Sequence, residues 1–443
     1  MEGSLEFARL NPFQEVMACW ETAHPYNAGQ VVRLDGRVDV PALQAAIQTA
    51  CRQAGVGTLV LDRRRRRYRY DRAESIPLEV IVPGESPADT LRGALTESIN
   101  AGFPDRPHHP IRWSMLEDPG TGSALLITVW HHVVADEMSM RLLLRRVLNQ
   151  YYGTQHPDDA HPLAALPPPL SRAIGARHHY LSQVAALGRI IRLRLAVRKV
   201  YRFKEARARG EGTHIHLAAL PSGLAGQLVT LCRARGVTVN DLILAALGTV
   251  LARATTQARA HASKRHLALG AAVSLRSAAP EALADCFGVF LGHWVTLLRR
   301  PDAGLPALLR EITVQTRAEK SAQRAAASQL GYRLLGLMSR WGSIRHDGQW
   351  YEKVYRISGS VSNVRASTEW FGRAGRHVRE YTLVSPPGPA MPLVVASATL
   401  DDQLNLCLVA RDAALSAAEA GTLLDELRAE LNAIAGEGGL PSE

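Results

Sequence analysis

The sequence lacks the segments that would place a protein in a membrane or on a secretion route. It contains no run of about 18 consecutive apolar residues, so we expect no transmembrane helix. Its first residues, Met1–Glu6, have neither the basic start nor the apolar stretch of a signal peptide. The five cysteines are scattered and form no CxxC pair, which argues against a disulfide framework and a cysteine zinc site. These absences predict a cytoplasmic protein with reduced cysteines in its core.

Motifs of several common enzyme classes are missing as well. There is no G-x-S-x-G sequence and no P-loop, which argues against a serine hydrolase and against an ATP-driven ligase. No HExxH metal motif, zinc finger, RNP-like aromatic pattern or glycine-rich RNA loop occurs. We therefore expect no metal, no bound cofactor and no nucleic-acid partner.

Positive charge is what the sequence has in excess. The formal net charge is +11 and the isoelectric point is about 9.7. Such a surface favours acidic partners. Two that fit are coenzyme A, through its phosphates, and the acidic helical surface typical of acyl carrier proteins. Charge alone does not choose between them.

The chain divides into two mixed α/β halves. Its 443 residues suggest two or three domains. Strand-like and helix-like patterns alternate over residues 1–165 and again over residues 213–443. Between them lie a stretch rich in proline and aspartate and a longer basic stretch. We therefore expect an N-terminal lobe at residues 1–165 and a C-terminal lobe at residues 213–443, joined by a basic helical linker at residues 166–212.

The residues that suggest chemistry follow the most apolar strand of the first half. Ala124–Trp130 has the composition of a strand buried on both faces. His131, His132 and Asp136 come next in the pattern HHxxxD, and helical spacing resumes at Met138. A histidine at the end of a strand can face a cleft, and its ordinary pKa near 6.5 suits proton removal at neutral pH. The aspartate can fold back to brace the loop, but once buried it needs a cationic or hydrogen-bonding partner.

This motif and its surroundings resemble the HHxxxD acyltransferases. That superfamily includes chloramphenicol acetyltransferase, condensation domains of nonribosomal peptide synthetases and bacterial wax ester synthases. The closest resemblance is to a stand-alone condensation domain, and it runs over most of the chain. The segments that carry it are Tyr26–Asn27, Val31–Gly36, Val38–Leu43, Ala124–Tyr152, Val239–Ala246, Val273–Arg276, Phe287–Phe290 and Ser362–Val364.

The resemblance implies an α/β (α+β) fold of two chloramphenicol acetyltransferase-like lobes, arranged as a pseudo-dimer with a central channel. In such a fold His132 would be the catalytic base and would meet both substrates at the centre. His131 would orient the loop, and Asp136 would be structural and paired with Arg52. The residues expected in or near the channel are Glu137, Ser139 and Asn363.

Two positions depart from the pattern of condensation domains. The family usually has glycine after the aspartate, whereas this chain has Glu137. That side chain is compatible with a narrower channel, with a cationic acceptor or with a loss of activity. The RHExLRT segment of the family is degraded here to Arg52–Thr58, although its arginine is kept.

The activity that the resemblance implies is acyl transfer from a carrier-protein thioester to a small-molecule amine or alcohol, which forms an amide or ester in natural-product biosynthesis. The donor would bring the acyl group on a phosphopantetheine arm. No adenylation or carrier domain is evident, so we expect a monomer that meets an acyl or peptidyl carrier protein in trans. Two alternatives stay open. One is an acyl-CoA-dependent O-acyltransferase of the wax-synthase or polyketide-associated type, and the other is an inactive platform that binds a carrier protein.

Three features have a structural interpretation beside the functional one. Arg63–Arg67 is expected either to dock a carrier protein or phosphates, or to form the solvated tip of a hairpin. Ser171–Arg209 mixes leucine and isoleucine with arginine, which fits a peripheral membrane helix or a helix packed between the lobes, and we favour the packed helix. The pair His131–His132 has the structural alternative of two histidines that cap a strand.

Overall fold

Two lobes of alternating strands and helices make up the protein, as seen in a computed structural model of the 443-residue chain. The described residues are 6–73, 75–118, 120–169, 181–201, 203, 210–319, 329–334, 357–389 and 391–436. The mixed α/β class expected from the sequence is confirmed.

A five-stranded sheet forms the centre of the first lobe. In spatial order its strands are β12 (Val378–Val384), β2 (Asn27–Leu34), β7 (Ser123–His131), β6 (Ile111–Asp118) and β5 (Leu78–Ile81). Strand β7 is paired on both sides, and all nine of its residues are buried. Burial on both faces explains why its sequence is apolar at consecutive positions rather than at alternate ones. The predicted motif strand is thereby confirmed.

Helices cover this sheet and set the position of the motif. They are α1 (Pro12–Trp20), α2 (Val40–Gln53), α3 (Pro87–Asn100) and α4 (Glu137–Tyr151). Helix α2 packs on α4 and buries one apolar stripe, which consists of Leu43, Ala46, Ile47, Ala50 and Cys51. Helix α4 begins directly after the HHxxxD loop, with Asp136 as its N-cap. Since an N-cap side chain binds backbone N–H groups of the first turn, the motif aspartate also helps to define where this helix begins.

A small three-stranded sheet holds the arginine run. Its strands are β1 (Ala8–Arg9), β4 (Arg67–Asp71) and β3 (Thr58–Asp62). The run Arg63–Arg67 lies at the hairpin between β3 and β4. Arg63 pairs with Glu21 at 2.8 Å, and the Arg67 guanidinium lies 4.1 Å from the centre of the Phe7 ring. These partners belong to the chain itself, which supports the hairpin-tip interpretation.

A six-stranded sheet forms the centre of the second lobe. In spatial order its strands are β10 (Leu291–Leu298), β9 (Leu267–Ser274), β11 (Gly359–Ala366), β13 (Leu393–Leu400), β14 (Gln403–Arg411) and β8 (Thr213–Ala219). Strand β11 is parallel to both of its neighbours, and the other pairs are antiparallel. The ladder between β9 and β11 ends at Val361, although β9 continues to Ser274. The two strands therefore part at one end, next to the space between the lobes.

The helices of the second lobe pack around its sheet. They are α6 (Leu224–Ala234), α7 (Val239–Ala260), α8 (Pro280–Leu283), α9 (Leu305–Glu319) and α10 (Ala417–Gly436). Helix α9 is described as far as Glu319, and residues 320–328 lie outside the described residues. Within the described part of the chain, no single helix is long and apolar enough to cross a bilayer. Helices α6 and α7 meet that criterion only as a pair, bent by 101°.

The segment between the lobes is described in part. Helix α5 (Leu181–Val197) follows the proline-rich stretch. One side of it packs on the second-lobe sheet through Leu193, Ala196 and Val197. Three other apolar side chains of α5 are exposed, namely Leu187, Ile191 and Leu195. The contact with the sheet supports a packed helix, while residues 171–180, 202 and 204–209 of the basic stretch lie outside the described residues.

The lobes exchange a strand. Strand β12 comes from the second half of the chain, yet it pairs antiparallel with β2 of the first lobe. The apolar core of the first lobe also continues into the second-lobe sheet, where Ala396, Ala398 and Val409 belong to the same cluster of buried residues. A division into residues 1–165 and 213–443 therefore omits one connection, because Val378–Val384 is built into the first lobe.

Candidate active site

A cavity of about 290 Å³ lies where the two lobes meet. Its first-lobe wall includes Phe13, Trp20, Tyr26, His132 and Glu137. Its second-lobe wall includes Ser274, His293, Ser360, Ser362 and Asn363. The first wall is largely aromatic, whereas the second carries hydroxyl, amide and imidazole groups. A side chain such as His132 can therefore meet molecules held by either lobe.

His132 is held at the end of β7 and lines this cavity. Its backbone N–H donates to the Tyr26 carbonyl at 3.3 Å, and its ring stacks on the Tyr26 ring with centroids 5.5 Å apart. Nδ1 lies 2.9 Å from the carbonyl oxygen of Ala135. Because a carbonyl oxygen can only accept a hydrogen bond, Nδ1 carries the proton and Nε2 keeps its lone pair. The side chain is half-buried and is not sealed off from the cavity.

The surroundings of His132 favour its neutral form. Burial lowers the pKa of His132 below its ordinary value of 6.5, against the opposing effects of the Ala135 carbonyl and the Asp136 carboxylate. A neutral imidazole with an unprotonated Nε2 is the form that can accept a proton from a substrate. At neutral pH the motif therefore presents a neutral imidazole to the cavity.

His131, the first histidine of the motif, does not line the cavity. It is 1% exposed, and its Nε2 lies 2.5 Å from Oε1 of Glu21. Its ring stacks on Phe103 at a centroid distance of 5.3 Å. Although burial raises the pKa of Glu21, the neighbouring His131 and Arg63 outweigh it and hold that pKa below the ordinary value of 4.5. His131 is thus a packed residue of the first lobe that lies against the Glu21 carboxylate.

Asp136 is buried and joins the two lobes. Its carboxylate accepts hydrogen bonds from the backbone N–H of Ser139 at 2.8 Å and of Phe290, in the second lobe, at 2.9 Å. Its own backbone N–H donates to the Gly288 carbonyl at 2.9 Å. The cation beside it is Arg276, whose Nη2 lies 3.3 Å from Oδ1. The motif aspartate is therefore bound by a segment that follows it by more than a hundred residues.

The expected pair between Asp136 and Arg52 is wrong. Arg52 lies in the last turn of α2, beside the buried stripe of that helix, and is exposed to solvent. A buried carboxylate needs its cation in the same low-dielectric surroundings, because an ion left unpaired there is strongly destabilising. Arg276 meets this requirement, since it is itself 8% exposed and approaches from the second lobe.

Ser139 also lies elsewhere than predicted, because it is not a channel residue. It is 0% exposed, and its hydroxyl lies 2.7 Å from both the Asp136 carboxylate and the Gly288 carbonyl. The same hydroxyl accepts hydrogen bonds from the Gly288 N–H at 3.0 Å and from Arg276 at 2.8 Å. Ser139 therefore lies within the interface between the two lobes, where it binds Asp136.

Glu137 lines the cavity next to the motif. Its Oε1 lies 3.2 Å from Nε of Arg141 and accepts a hydrogen bond from the Tyr381 hydroxyl at 2.9 Å. Tyr381 belongs to the exchanged strand β12. Burial, together with the charge of Glu137, raises the pKa of Tyr381, so its hydroxyl stays protonated. Since Arg141 and Tyr381 already stabilise the carboxylate, Glu137 does not need a cationic acceptor to balance its charge.

Asn363 lines the opposite wall. Its Oδ1 accepts a hydrogen bond from the buried Ser397 hydroxyl at 2.8 Å.

Among the described residues, no group of three or more histidine, cysteine, aspartate or glutamate side chains is placed to hold a metal. The cysteines are free, and burial raises the pKa of Cys51 to about 12 and that of Cys232 to about 11. Thiols that ionise so poorly are unsuited to nucleophilic catalysis at neutral pH.

Three residues at or beside the site, Arg276, Tyr381 and His293, were not predicted from the sequence. Arg276 lies within Val273–Arg276, a segment that resembles condensation domains, so a search of that segment for a cation would have found it. Tyr381 and His293 belong to no motif. His293 reaches the cavity and Tyr381 reaches Glu137 because β10 and β12 are placed by strand pairing, which a local pattern does not report.

Comparison with solved structures shows which proteins share this fold. The TRI3 trichothecene 15-O-acetyltransferase of Fusarium sporotrichioides superposes with a TM-score of 0.74 over 98% of this chain and 95% of its own, at 13% identity. The first condensation domain of the CDA synthetase superposes with a TM-score of 0.68 over 99% and 98%, at 16% identity. The X-domain from teicoplanin biosynthesis gives 0.62 over 99% and 97%, at 18% identity. The chain therefore has the two-lobed, chloramphenicol acetyltransferase-like fold, and the predicted resemblance is confirmed at the level of the fold.

Comparison by sequence gives a likeness that covers part of the chain. A scan against models of protein families finds no match. Among curated proteins the chain is 28% identical over 306 residues to CymA of Salinispora arenicola (strain CNS-205), described as a probable non-canonical nonribosomal peptide synthetase. That match covers 64% of this chain and 4% of the synthetase, so the chain spans a small part of the length of its relative.

Proposed function

We propose that this chain is a condensation-type acyltransferase, which moves an acyl group from a carrier-protein thioester to an amine or alcohol in natural-product biosynthesis. The observation that carries the proposal is the neutral His132 ring beside a cavity lined by both lobes. The fold shared with an O-acetyltransferase and a condensation domain supports it, as does the likeness to a synthetase. The net charge of +11 suits an acidic acyl or peptidyl carrier protein.

Each group near the motif has a role in this reaction. Nε2 of His132 takes the proton of the acceptor as its nitrogen or oxygen attacks the thioester carbonyl. The carbon–sulfur bond then breaks, and the proton passes from Nε2 to the leaving sulfur. The products are an amide or ester and a free phosphopantetheine thiol. The Ala135 carbonyl keeps Nδ1 protonated and stabilises the imidazolium formed between the two proton transfers.

Residues that do not touch the substrates position this base. Asp136 and Ser139 bind Arg276 and the 288–290 segment, which holds the loop against the second lobe. His131 binds Glu21 on the other side of the strand end. Since proton transfer requires a correctly placed nitrogen, these buried contacts act on the rate through the position of His132.

The direct test is turnover with the acyl group offered on different donors. Octanoyl groups loaded on an acyl carrier protein, on a peptidyl carrier protein and on coenzyme A are mixed with a panel of amines and alcohols, and products are detected by mass spectrometry. We expect product from a carrier donor, and a fall in kcat/KM of about 10²- to 10⁴-fold for His132→Ala. His266→Ala, a histidine of the second lobe outside the cavity, is the matched control.

Two outcomes would change the assignment. Wild-type turnover by His132→Ala would remove His132 as the base. A clear preference for octanoyl coenzyme A would favour the O-acyltransferase alternative over the carrier-dependent reaction.

A platform that binds a carrier protein is the second candidate. Glu137 favours it, because its carboxylate is held beside the motif by Arg141 and Tyr381 where condensation domains usually have glycine. A related fold has been solved as a complex of an X-domain with OxyB from teicoplanin biosynthesis. This candidate predicts carrier binding without product. Turnover that is gained in Glu137→Gly would show that the carboxylate obstructs the reaction.

A further inference from the structure

The second-lobe wall of the cavity carries polar groups that the proposed acyl transfer does not use. His293, near the start of β10, lines this wall together with Ser360 of β11. Neither residue belongs to the contacts around Asp136 or to those around His132. They lie where β9 and β11 begin to part, just before the ladder between them ends at Val361.

The position of His293 depends on a glycine. A Cβ atom at Gly270 would lie 2.7 Å from Nε2 of His293 and 3.0 Å from Oγ of Ser360. Any other residue at position 270 would therefore push the imidazole aside. Gly270 and Ser360 are register partners on β9 and β11. The missing side chain leaves the space in which the imidazole and the hydroxyl stand side by side.

One nitrogen of the His293 ring is not paired with any described residue. Nε2 is buried and has no hydrogen-bond partner among the described residues. Buried polar atoms are nearly always paired in folded proteins, so an unpaired one that borders a cavity indicates a group that binds there. Burial lowers the pKa of His293 to about 4, so the ring is neutral at neutral pH. A neutral imidazole offers one donor and one acceptor, which is what a hydroxyl group needs.

From this geometry we propose that His293 and Ser360 form a hydrogen-bonding subsite for a neutral polar group of the substrate, namely a hydroxyl. The inference rests on the proposed acyl transfer, because it describes the molecule that this cavity receives. The apolar body of the substrate would lie against the aromatic first-lobe wall of Phe13, Trp20 and Tyr26, with the substrate hydroxyl directed to the second lobe. A charged group would lose its hydration beside a neutral ring, so the subsite selects against it.

Matched ligands that differ by one hydroxyl test this subsite. The acceptor pair is tyramine and phenethylamine, and the donor pair is the N-acetylcysteamine thioesters of 3-hydroxyoctanoic and octanoic acid. Affinities are measured by isothermal titration calorimetry in the His132→Ala background, so that the result does not depend on turnover. We expect the hydroxylated member of one pair to bind about 10-fold more tightly, which corresponds to one hydrogen bond of about 1.4 kcal/mol.

Substitutions in the same background assign the preference to His293. His293→Leu should abolish it, and His293→Gln, which keeps a donor and an acceptor, should retain part of it. His266→Leu is the matched control, since His266 also has a buried nitrogen without a partner in the described part of the chain but does not line the cavity. His293→Leu should leave the midpoint of urea unfolding unchanged or raised, because it removes an unpaired polar atom.

Three results would overturn the inference. They are the absence of a hydroxyl preference in both pairs, an unchanged preference in His293→Leu, and a lower unfolding midpoint in both His293 variants, which would make the residue structural. Turnover measured separately with the wild-type protein keeps the two proposals distinct. A hydroxyl preference without turnover would refute the catalytic proposal alone, and turnover without a preference would refute the subsite alone.

Discussion

The two histidines of the motif are adjacent in sequence but lie in different surroundings. His131 is 1% exposed and paired with Glu21, whereas His132 is half-buried, lines the cavity and binds a backbone carbonyl. His131 is the last residue of β7, and His132 is the first residue of the turn that follows it. His131 is therefore buried beside Glu21, whereas His132 presents a neutral imidazole to the cavity. The comparison teaches that a repeated residue in a motif can serve two different purposes.

The largest expected effect separates the two histidines by activity. His132→Gln removes the base, and we expect kcat/KM to fall by about 10²- to 10⁴-fold. His131→Gln keeps a hydrogen-bonding group next to Glu21. Its kcat/KM should therefore fall by less than about 10-fold, a change of about 1.4 kcal/mol in the barrier. Steady-state kinetics on both variants make the measurement. Equal losses in the two variants would contradict the division of roles.

The next effect concerns Asp136, the buried aspartate of the motif loop, and is measured as a change in the free energy of unfolding. Arg276→Met leaves the Asp136 carboxylate buried without its cation, and we expect the free energy of unfolding to fall by about 3–5 kcal/mol. Arg52→Met is the matched control and should change it by less than about 0.5 kcal/mol, because Arg52 is exposed. Urea unfolding followed by circular dichroism measures both. A large loss of unfolding free energy in Arg52→Met would instead support a pair between Asp136 and Arg52.

A smaller effect is expected at the contact of Glu21 with His131. His131→Phe removes one partner of the buried carboxylate and should lower the free energy of unfolding by about 1–3 kcal/mol. Because the folded protein holds the pKa of Glu21 below 4.5, its contribution to stability is complete above that value and is lost as the pH falls through the lower folded value. Unfolding curves at several pH values check this. A loss in His131→Phe that grew as the pH fell below 4.5 would argue against a stabilising contact between His131 and the Glu21 carboxylate.

The smallest effect is the position of the acidic limb of the activity profile. Burial lowers the pKa of His132 below 6.5, so the unprotonated base should persist into mildly acidic solution. We expect kcat/KM to stay level as the pH falls through 6.5 and to decline only below it. A profile measured from about pH 5 to pH 8 tests this. A limb at or above 6.5 would indicate an exposed ring, or a different base.

Local patterns predicted much of the first lobe. The apolar run Ala124–Trp130 became strand β7, and the spacing from Met138 became helix α4, because both patterns reflect contacts made by neighbouring turns or strands. The strands of the second half are predicted less completely from the sequence. Strand β11 at Gly359–Ala366 has small polar residues on a half-buried surface, and such a segment lacks the alternation that marks a strand.

The sequence by itself indicated the mixed α/β class, the strand that ends in the motif and His132 as the candidate base. These follow from periodicity and from residues a few positions apart. The tertiary structure decided which arginine meets Asp136, which tyrosine reaches Glu137 and which histidine borders the cavity. The first two partners lie 140 and 244 positions away along the chain. The physical reason is that a buried charge or an unpaired nitrogen responds to what packs around it, and that depends on how the lobes come together.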